Sequence, residues 1–385
     1  MRLRLAEALL LAAAGLQAQP SPLKGKIPLT PEPAPPSGRE RWRVQFFHDR
    51  NDSEYVIRDL KFASPLRGVA VGVLLERGKS KPAALVTGDG GKKWEFISLP
   101  EDPVSLFALD ERNVWLVTER GVWKTVEAGR NWNKLAALRG LTGVVFVSES
   151  HGFAVGFPKA VYETRDGGKK WTKVTAAEKA QGTPQYTTFL AAAFASPKVG
   201  MIAGVSRPPR RTPPQMPEWV DPEESRRRQL PNLVILLQTV DGGATWRADA
   251  SSIFGAVTRL SLVTQGQSLA LIQFNPGFWL PAEVHAIDLR TGGSEAVFRR
   301  DNRNVTDVLV LPGGPGWLAA VEPPGRLPDA PVPGKLRILV SDDLKWWRET
   351  EVDYRANARR AVLAAAGGDH LWVATDNGMI LKMER

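Results

Sequence analysis

One eight-residue pattern recurs along this chain at nearly fixed spacing: TGDGGKKW (87–94), TVEAGRNW (125–132), TRDGGKKW (164–171) and TVDGGATW (239–246). The first threonines lie 38, 39 and 75 residues apart, so the third interval is two units, or one unit lengthened by an insertion. A degraded copy, SDDLKWW (341–347), lacks one residue. A repeat of this period means that one supersecondary unit is being copied, and that stacked copies bury what a single copy cannot.

Each box lies between two short apolar segments, AALV and EFISL around the first copy, GVWK and NKLAAL around the second, AVYE and TKVTA around the third, VILLQ and RADAS around the fourth. It therefore reads as a hairpin turn. Glycine at the fourth and fifth positions permits positive φ, the Asp carboxylate accepts backbone N–H groups across the loop, and the Trp packs over the turn. Upstream of every box stands another strand (GVAVG, VWLVT, GFAVG, GMIAG), and further upstream an apolar stretch (RDLKFA, SLFALD, GVVFVS, FLAAAFA), which makes four strands per unit. Beyond residue 250 the same template fits RLSLVT, SLALIQF, EVHAIDL and EAVFR, then DVLVL, GWLAAVE, LRILVS and WRETEV. Last come AVLAAA (361–366) and LWVATDNGMILKM (371–383), one strand short, with WRVQFF (42–47) available to supply it. The count predicts an all-β fold, a single seven-bladed β-propeller of four-stranded blades, closed by the N-terminal strand joining the last blade. Closure removes the unpaired sheet edges that invite aggregation. Six or eight blades stay open as alternatives, because the two box-less units are recognised by texture alone.

Composition narrows the function classes. There are 35 Gly and 30 Pro, in keeping with many turns, and no Cys, which excludes disulfides, thiolate catalysis and Cys-ligated metals. The histidines, His48, His151, His285 and His370, are never paired at ligand spacing, so neither a zinc site nor any other cofactor is expected. The net charge of +10 is scattered rather than striped and comes with no nucleic-acid motif. Residues 1–18 (MRLRLAEALLLAAAGLQA) read as a signal peptide, with Arg2 and Arg4 before an apolar run too short to span a bilayer, although Glu7 intrudes and a helical or disordered start is the alternative. Residues 19–38 are Pro-rich and read as an extended linker, so the fold is expected to start near Arg39 and run to 385, in a periplasmic or secreted monomer.

At the boxes the sequence resembles the BNR or Asp-box propellers. Over residues 40–385 its texture, GxAVG followed by TxDGGxxW, resembles the photosystem II stability/assembly factor-like family. That resemblance implies a scaffold that binds partner proteins during membrane-complex assembly, without chemistry or cofactor. The box-less units, the insertion described next and Glu127 in place of a box Asp depart from the pattern.

The box residues Asp89, Asp166 and Asp241 with Trp94, Trp132, Trp171 and Trp246 are expected to be structural, since a catalytic group is needed once per site and a packing element once per repeat. The distinctive non-repeat element is 207–231, RPPRRTPPQMPEWVDPEESRRRQLP, between the second and third strands of a blade and so on the face opposite the boxes. Its Arg207, Arg210, Arg211, Arg226, Arg227 and Arg228, with Trp219, read as a recognition loop; a solvated insertion is the plain alternative. Arg58, Arg259, Arg359 and Arg360 are expected near the channel mouth on that face. The partner would be a protein or an anionic envelope component, or the chain would be one module of an envelope assembly. The competing reading is a carbohydrate-active propeller, a glycoside hydrolase or lectin with its site at the mouth and Asp59 and Asp307 as the first acids to consider. A sialidase is disfavoured: of the four tyrosines, Tyr55, Tyr162, Tyr186 and Tyr354, Tyr162 lies on the outer half of a blade away from a central site, and the FRIP-type motif of sialidases is absent.

Overall fold

The computed structural model of the chain describes residues 28–207, 230–323 and 333–385. The expected signal peptide, residues 19–27 of the expected linker and residues 208–229 of the insertion lie outside them.

Seven antiparallel sheets follow one another along the chain. Their innermost strands are Ser53–Phe62, Pro103–Asp110, Leu141–Phe146, Thr187–Phe194, Gly255–Ser261, Asn304–Val310 and Ala361–Ala365. Each packs against the innermost strand of the next sheet, and the seventh against the first, so the sheets stand radially around a channel. The last sheet is completed from the other end of the chain: Arg41–Phe47 lies antiparallel to Met379–Glu384, pairing Arg41 with Glu384 and Phe47 with Met379. The blade count and the closing strand are those the repeat predicts.

Two outer strands differ from expectation. In blade 3 the fourth strand is only Thr172–Lys173, and the chain turns into a short helix, α1 (Thr175–Lys179). In blade 6 the fourth strand is Arg348–Glu349, after which Glu351–Val352 crosses over and pairs in parallel with Arg41 and Trp42 of blade 7.

The box turns take the conformation their residues dictate. The Thr87 hydroxyl donates to Asp89 Oδ1 at 2.9 Å, Gly91 N–H donates to Thr87 Oγ1 at 3.0 Å, and Lys93 N–H to Asp89 Oδ1 at 2.9 Å. Thr164–Asp166 and Thr239–Asp241 repeat these bonds, and Ser341–Asp343 of the degraded copy makes an abbreviated version. In the second box Glu127 instead accepts from the Asn131 side chain, and Ala128 holds φ +53° where the other copies have glycine.

Aromatic stacks join the blades. Phe62 of blade 1 lies on Trp372 of blade 7 at 3.4 Å, Phe146 of blade 3 on Trp115 of blade 2 at 3.8 Å, and Phe194 of blade 4 on Phe153 of blade 3 at 5.0 Å. The box residues Trp94, Trp171 and Trp246 meet these stacks edge-on. Glycine stands at 68, 152 and 200 because each of these rings lies across it: a Cβ there would come within 2.5, 2.5 and 2.4 Å of a Phe carbon.

The Pro-rich stretch does more than link. Within the described residues, 28–34 are laid along the outer edges of blades 5 and 6. Thr30 N–H donates to Arg299 O, Ala34 N–H to Trp347 O, and Glu349 N–H to Ala34 O. Glu32 pairs with Arg300, and Pro33 is buried. Pairing here is by main chain and charge, which a stretch poor in apolar residues does not advertise.

Candidate functional site

A ring of radial sheets leaves one polar problem at its centre. Each innermost strand has a free edge, and its N–H and C=O groups need partners. The chain answers with side chains from neighbouring blades. In six of the seven innermost strands the register slips, leaving Arg58, Val104, Thr142, Leu190, Thr258 and Thr306 as bulged residues. Several of these reach the next blade: Arg58 Nη1 donates to Pro103 O at 2.7 Å, Thr142 Oγ1 to Phe189 O at 2.7 Å, and Thr306 Oγ1 to Ala361 O at 2.9 Å. Arg360 closes the circle, with Nη2 donating to Arg58 O at 2.9 Å.

The two channel acids are used in the same way. Asp59 Oδ2 accepts Leu106 N–H of blade 2 at 2.8 Å, while Oδ1 accepts Leu60 N–H and the Lys61 ammonium, both at 2.8 Å. Asp307 Oδ2 accepts Leu363 N–H of blade 7 at 2.8 Å, Oδ1 accepts Val308 N–H at 3.0 Å, and Arg259 Nε stands 3.5 Å away. Burial pushes the Asp59 carboxyl up, but Lys61, the Leu106 N–H and the charge of Arg259 together outweigh it and hold it below its ordinary value. Burial likewise lowers Arg360, as does Arg259, against the pull of Asp59, Asp307 and Asp376. An ionised carboxylate wrapped in donors is a poor proton donor, so Asp59 is set up as a cap rather than a general acid.

The structure brings Arg58, Arg259 and Arg360 together around the channel with these acids. Arg359 is exposed, and its backbone N–H donates to Asp376 Oδ1. Arg207 N–H donates to Tyr186 O. Because Thr187 pairs with Ser206 while Gly200 pairs with Thr239, the insertion leaves blade 4 where its innermost strand begins, and the box leaves the opposite end. Sequence reasoning missed the capping roles and the aromatic stacks. A signal for the stacks existed, since Phe62, Phe146 and Phe194 each precede their glycine by six residues.

A second charged cluster lies at the outer edge of blade 5. Glu283 and His285 are fully buried, with His285 Nε2 2.7 Å from Glu283 Oε1 and Arg299 clasping both Glu283 oxygens at 2.7 and 2.9 Å. Burial raises Glu283, and the bonds to His285 and Arg299 override it, leaving it lowered.

The unbroken cycle of innermost strands decides the architecture. The chain is a seven-bladed β-propeller. No family model and no curated protein matches the sequence. Among solved structures, this propeller is similar to YCF48 bound to D1 peptide, with TM-score 0.58 and 17% identity over 92% of this chain and 98% of that one. It is also similar to YCF48 from Cyanidioschyzon merolae, with TM-score 0.56 and 16% identity over 89% and 98%. The C-terminal WD40 domain of Sif2 follows at TM-score 0.50 and 10% identity over 89% and 98%. At these identities the likeness is one of fold.

Proposed function

We propose that this propeller is an exported, non-enzymatic scaffold that holds a protein partner on the face from which the insertion emerges, in the manner of a photosystem II assembly factor-like protein. The observation that carries the reading is that Asp59 and Asp307, the buried acids nearest the channel mouth, hold the backbone of neighbouring blades. The same channel wall carries Arg58, Arg259 and Arg360, so its character is basic, which suits an acidic segment of a partner better than a glycosidic bond that needs a paired acid and base. The likeness to a propeller solved with a peptide bound supports the same reading. The boxes are taken as Asp-box repeats with a structural role, and the insertion arginines, Arg207, Arg210, Arg211, Arg226, Arg227 and Arg228, as the contact loop, with Trp219 as its anchor.

The test is co-purification of the tagged chain from its native envelope, read by mass spectrometry, beside a variant with the six insertion arginines changed to Gln. The partner is expected to be lost from the variant. Equal recovery with both chains would overturn the contact loop, and polysaccharide hydrolysis abolished by Asp59→Asn or Asp307→Asn would overturn the scaffold reading.

A further inference from the structure

The seven innermost strands present one structurally equivalent backbone N–H each toward the channel, and the chain caps only some of them. The register places Leu60 opposite Ala70, Leu106 opposite Leu116, Val144 opposite Ala154, Ala192 opposite Ile202, Leu260 opposite Ala270, Val308 opposite Leu318 and Leu363 opposite Val373, which is the same rung in every blade. Four of these N–H groups, those of Leu60, Leu106, Val308 and Leu363, donate to the carboxylates of Asp59 or Asp307. Among the described residues no side-chain acceptor reaches the other three, Val144, Ala192 and Leu260, which belong to the adjacent blades 3, 4 and 5.

Space and exposure overlap this division without matching it blade for blade. The residue before each of these rungs is Asp59, Ser105, Gly143, Ala191, Arg259, Asp307 or Val362 in blade order, so the smallest side chains stand in blades 2, 3 and 4. A Cβ built on Gly143 would meet nothing nearer than Ser105 Oγ at 3.6 Å. Ser105, Gly143, Ala191, Ala192 and Leu260 are half-exposed, whereas Val144 is buried, as are Asp59, Leu60, Asp307, Val308 and Leu363. Ser105 Oγ and Thr258 Oγ1, at the two ends of this arc, are buried polar atoms without a partner. Arg259, which immediately precedes Leu260, holds its guanidinium at the blade 5 end of this stretch, 3.5 Å from Asp307 of blade 6.

We infer that the channel wall of blades 3 to 5 is a carboxylate-binding site, in which a ligand carboxylate takes the place that Asp59 and Asp307 fill in the rest of the ring, accepting the N–H groups of Ala192 and Leu260, with Val144 N–H and Ser105 Oγ beside them, under the charge of Arg259. Backbone N–H groups bond an ionised acceptor more strongly than a neutral one and need no rearrangement to do so. The site opens on the channel; only the expectation that a partner protein supplies the carboxylate rests on the scaffold reading above.

The test is amide NMR on the full ¹⁵N-labelled, deuterated chain. It is titrated separately with sodium acetate, with an alanine pentapeptide bearing a free C-terminus, with the same peptide amidated, and with an amidated peptide carrying one internal Glu. Saturable downfield shifts of the Val144, Ala192 and Leu260 amide protons are expected with at least one carboxylate probe and none with the amidated peptide. Response to the free terminus alone assigns a chain end, response to the Glu peptide an acidic side chain, and response to acetate alone a small free acid; each supports the site. By the equivalence with Asp59, Ala191→Asp caps the Leu260 N–H from within and weakens the probe roughly tenfold or more. Ser105→Asp does the same at Val144 and serves where Ala191→Asp fails to fold. Absence of saturable shifts with all three carboxylates, or unchanged affinity in a folded variant, overturns the inference. Partner capture can fail while acetate still binds, so the two results separate this site from the scaffold reading.

Discussion

Ala128 sits in the left-handed region at φ +53°, at the position where the boxes of blades 1, 3 and 4 have glycine at +75° to +78°. A residue with a Cβ pays a conformational penalty there of about 1–2 kcal/mol, and glycine loses about 0.5–1 kcal/mol through its extra freedom when unfolded. Ala128→Gly is therefore expected to raise stability by about 0.5–1 kcal/mol, read by chemical denaturation, while Gly167→Ala in the blade 3 box lowers it. The box itself was legible because its function is local: the Thr hydroxyl, the carboxylate and the two glycines act within eight residues, so spacing alone reveals them. Asp59 and Asp307 were not legible as caps. The carboxylates act on N–H groups 47 and 56 residues away, through a bulge whose residues share no motif from blade to blade.

At the scale of elements, the segment 28–34 works as a strap over blades 5 and 6. Its main-chain bonds at Thr30 and Ala34, with the Thr30 hydroxyl accepting Arg299 N–H at 3.1 Å, close edges that would otherwise be open. Removing residues up to 35 is expected to lower stability by about 2–4 kcal/mol, at roughly 1 kcal/mol for each bond lost. Hydrogen exchange should report where: the amides of Arg299 and Glu349 speed up, while those of blades 2 and 3 keep the parent rate. Uniform acceleration across all blades would show that the strap holds the whole ring rather than two edges. The strand count and the closing strand were readable because apolar alternation and box spacing agree. Prolines at 28, 31, 33, 35 and 36 hid the strap, since proline marks a segment as unable to enter a sheet interior although it permits pairing at single edge positions.

At the scale of the molecule, acids around the ring share one electrostatic tendency. Asp89, Asp166, Asp241 and Asp343 in the boxes are all held below their ordinary range, Asp241 to about 2 through the Thr245 side chain and backbone, and Asp353 to about 2 through Arg355. Because folding lowers these values, the folded chain binds fewer protons than the unfolded one in acid, so the contribution is present above about pH 4 and is lost as pH falls toward 2. The melting temperature is expected to be level above about pH 5 and to fall between about pH 4 and pH 2. Asp241→Asn should flatten that fall, and an unchanged slope in calorimetry would remove Asp241 from the account. Ring closure has a further consequence, in time rather than in space. Trp42, almost wholly buried and edge-on to Trp317 at 5.8 Å, belongs to a sheet whose other strands are residues 351–352 and strands within 361–384. A chain made from its N-terminus holds Arg41–Phe47 without a partner until residues 351–384 have arrived. The blades can form in order as they emerge, but the ring locks in a single late event that joins Arg41–Phe47 to Met379–Glu384.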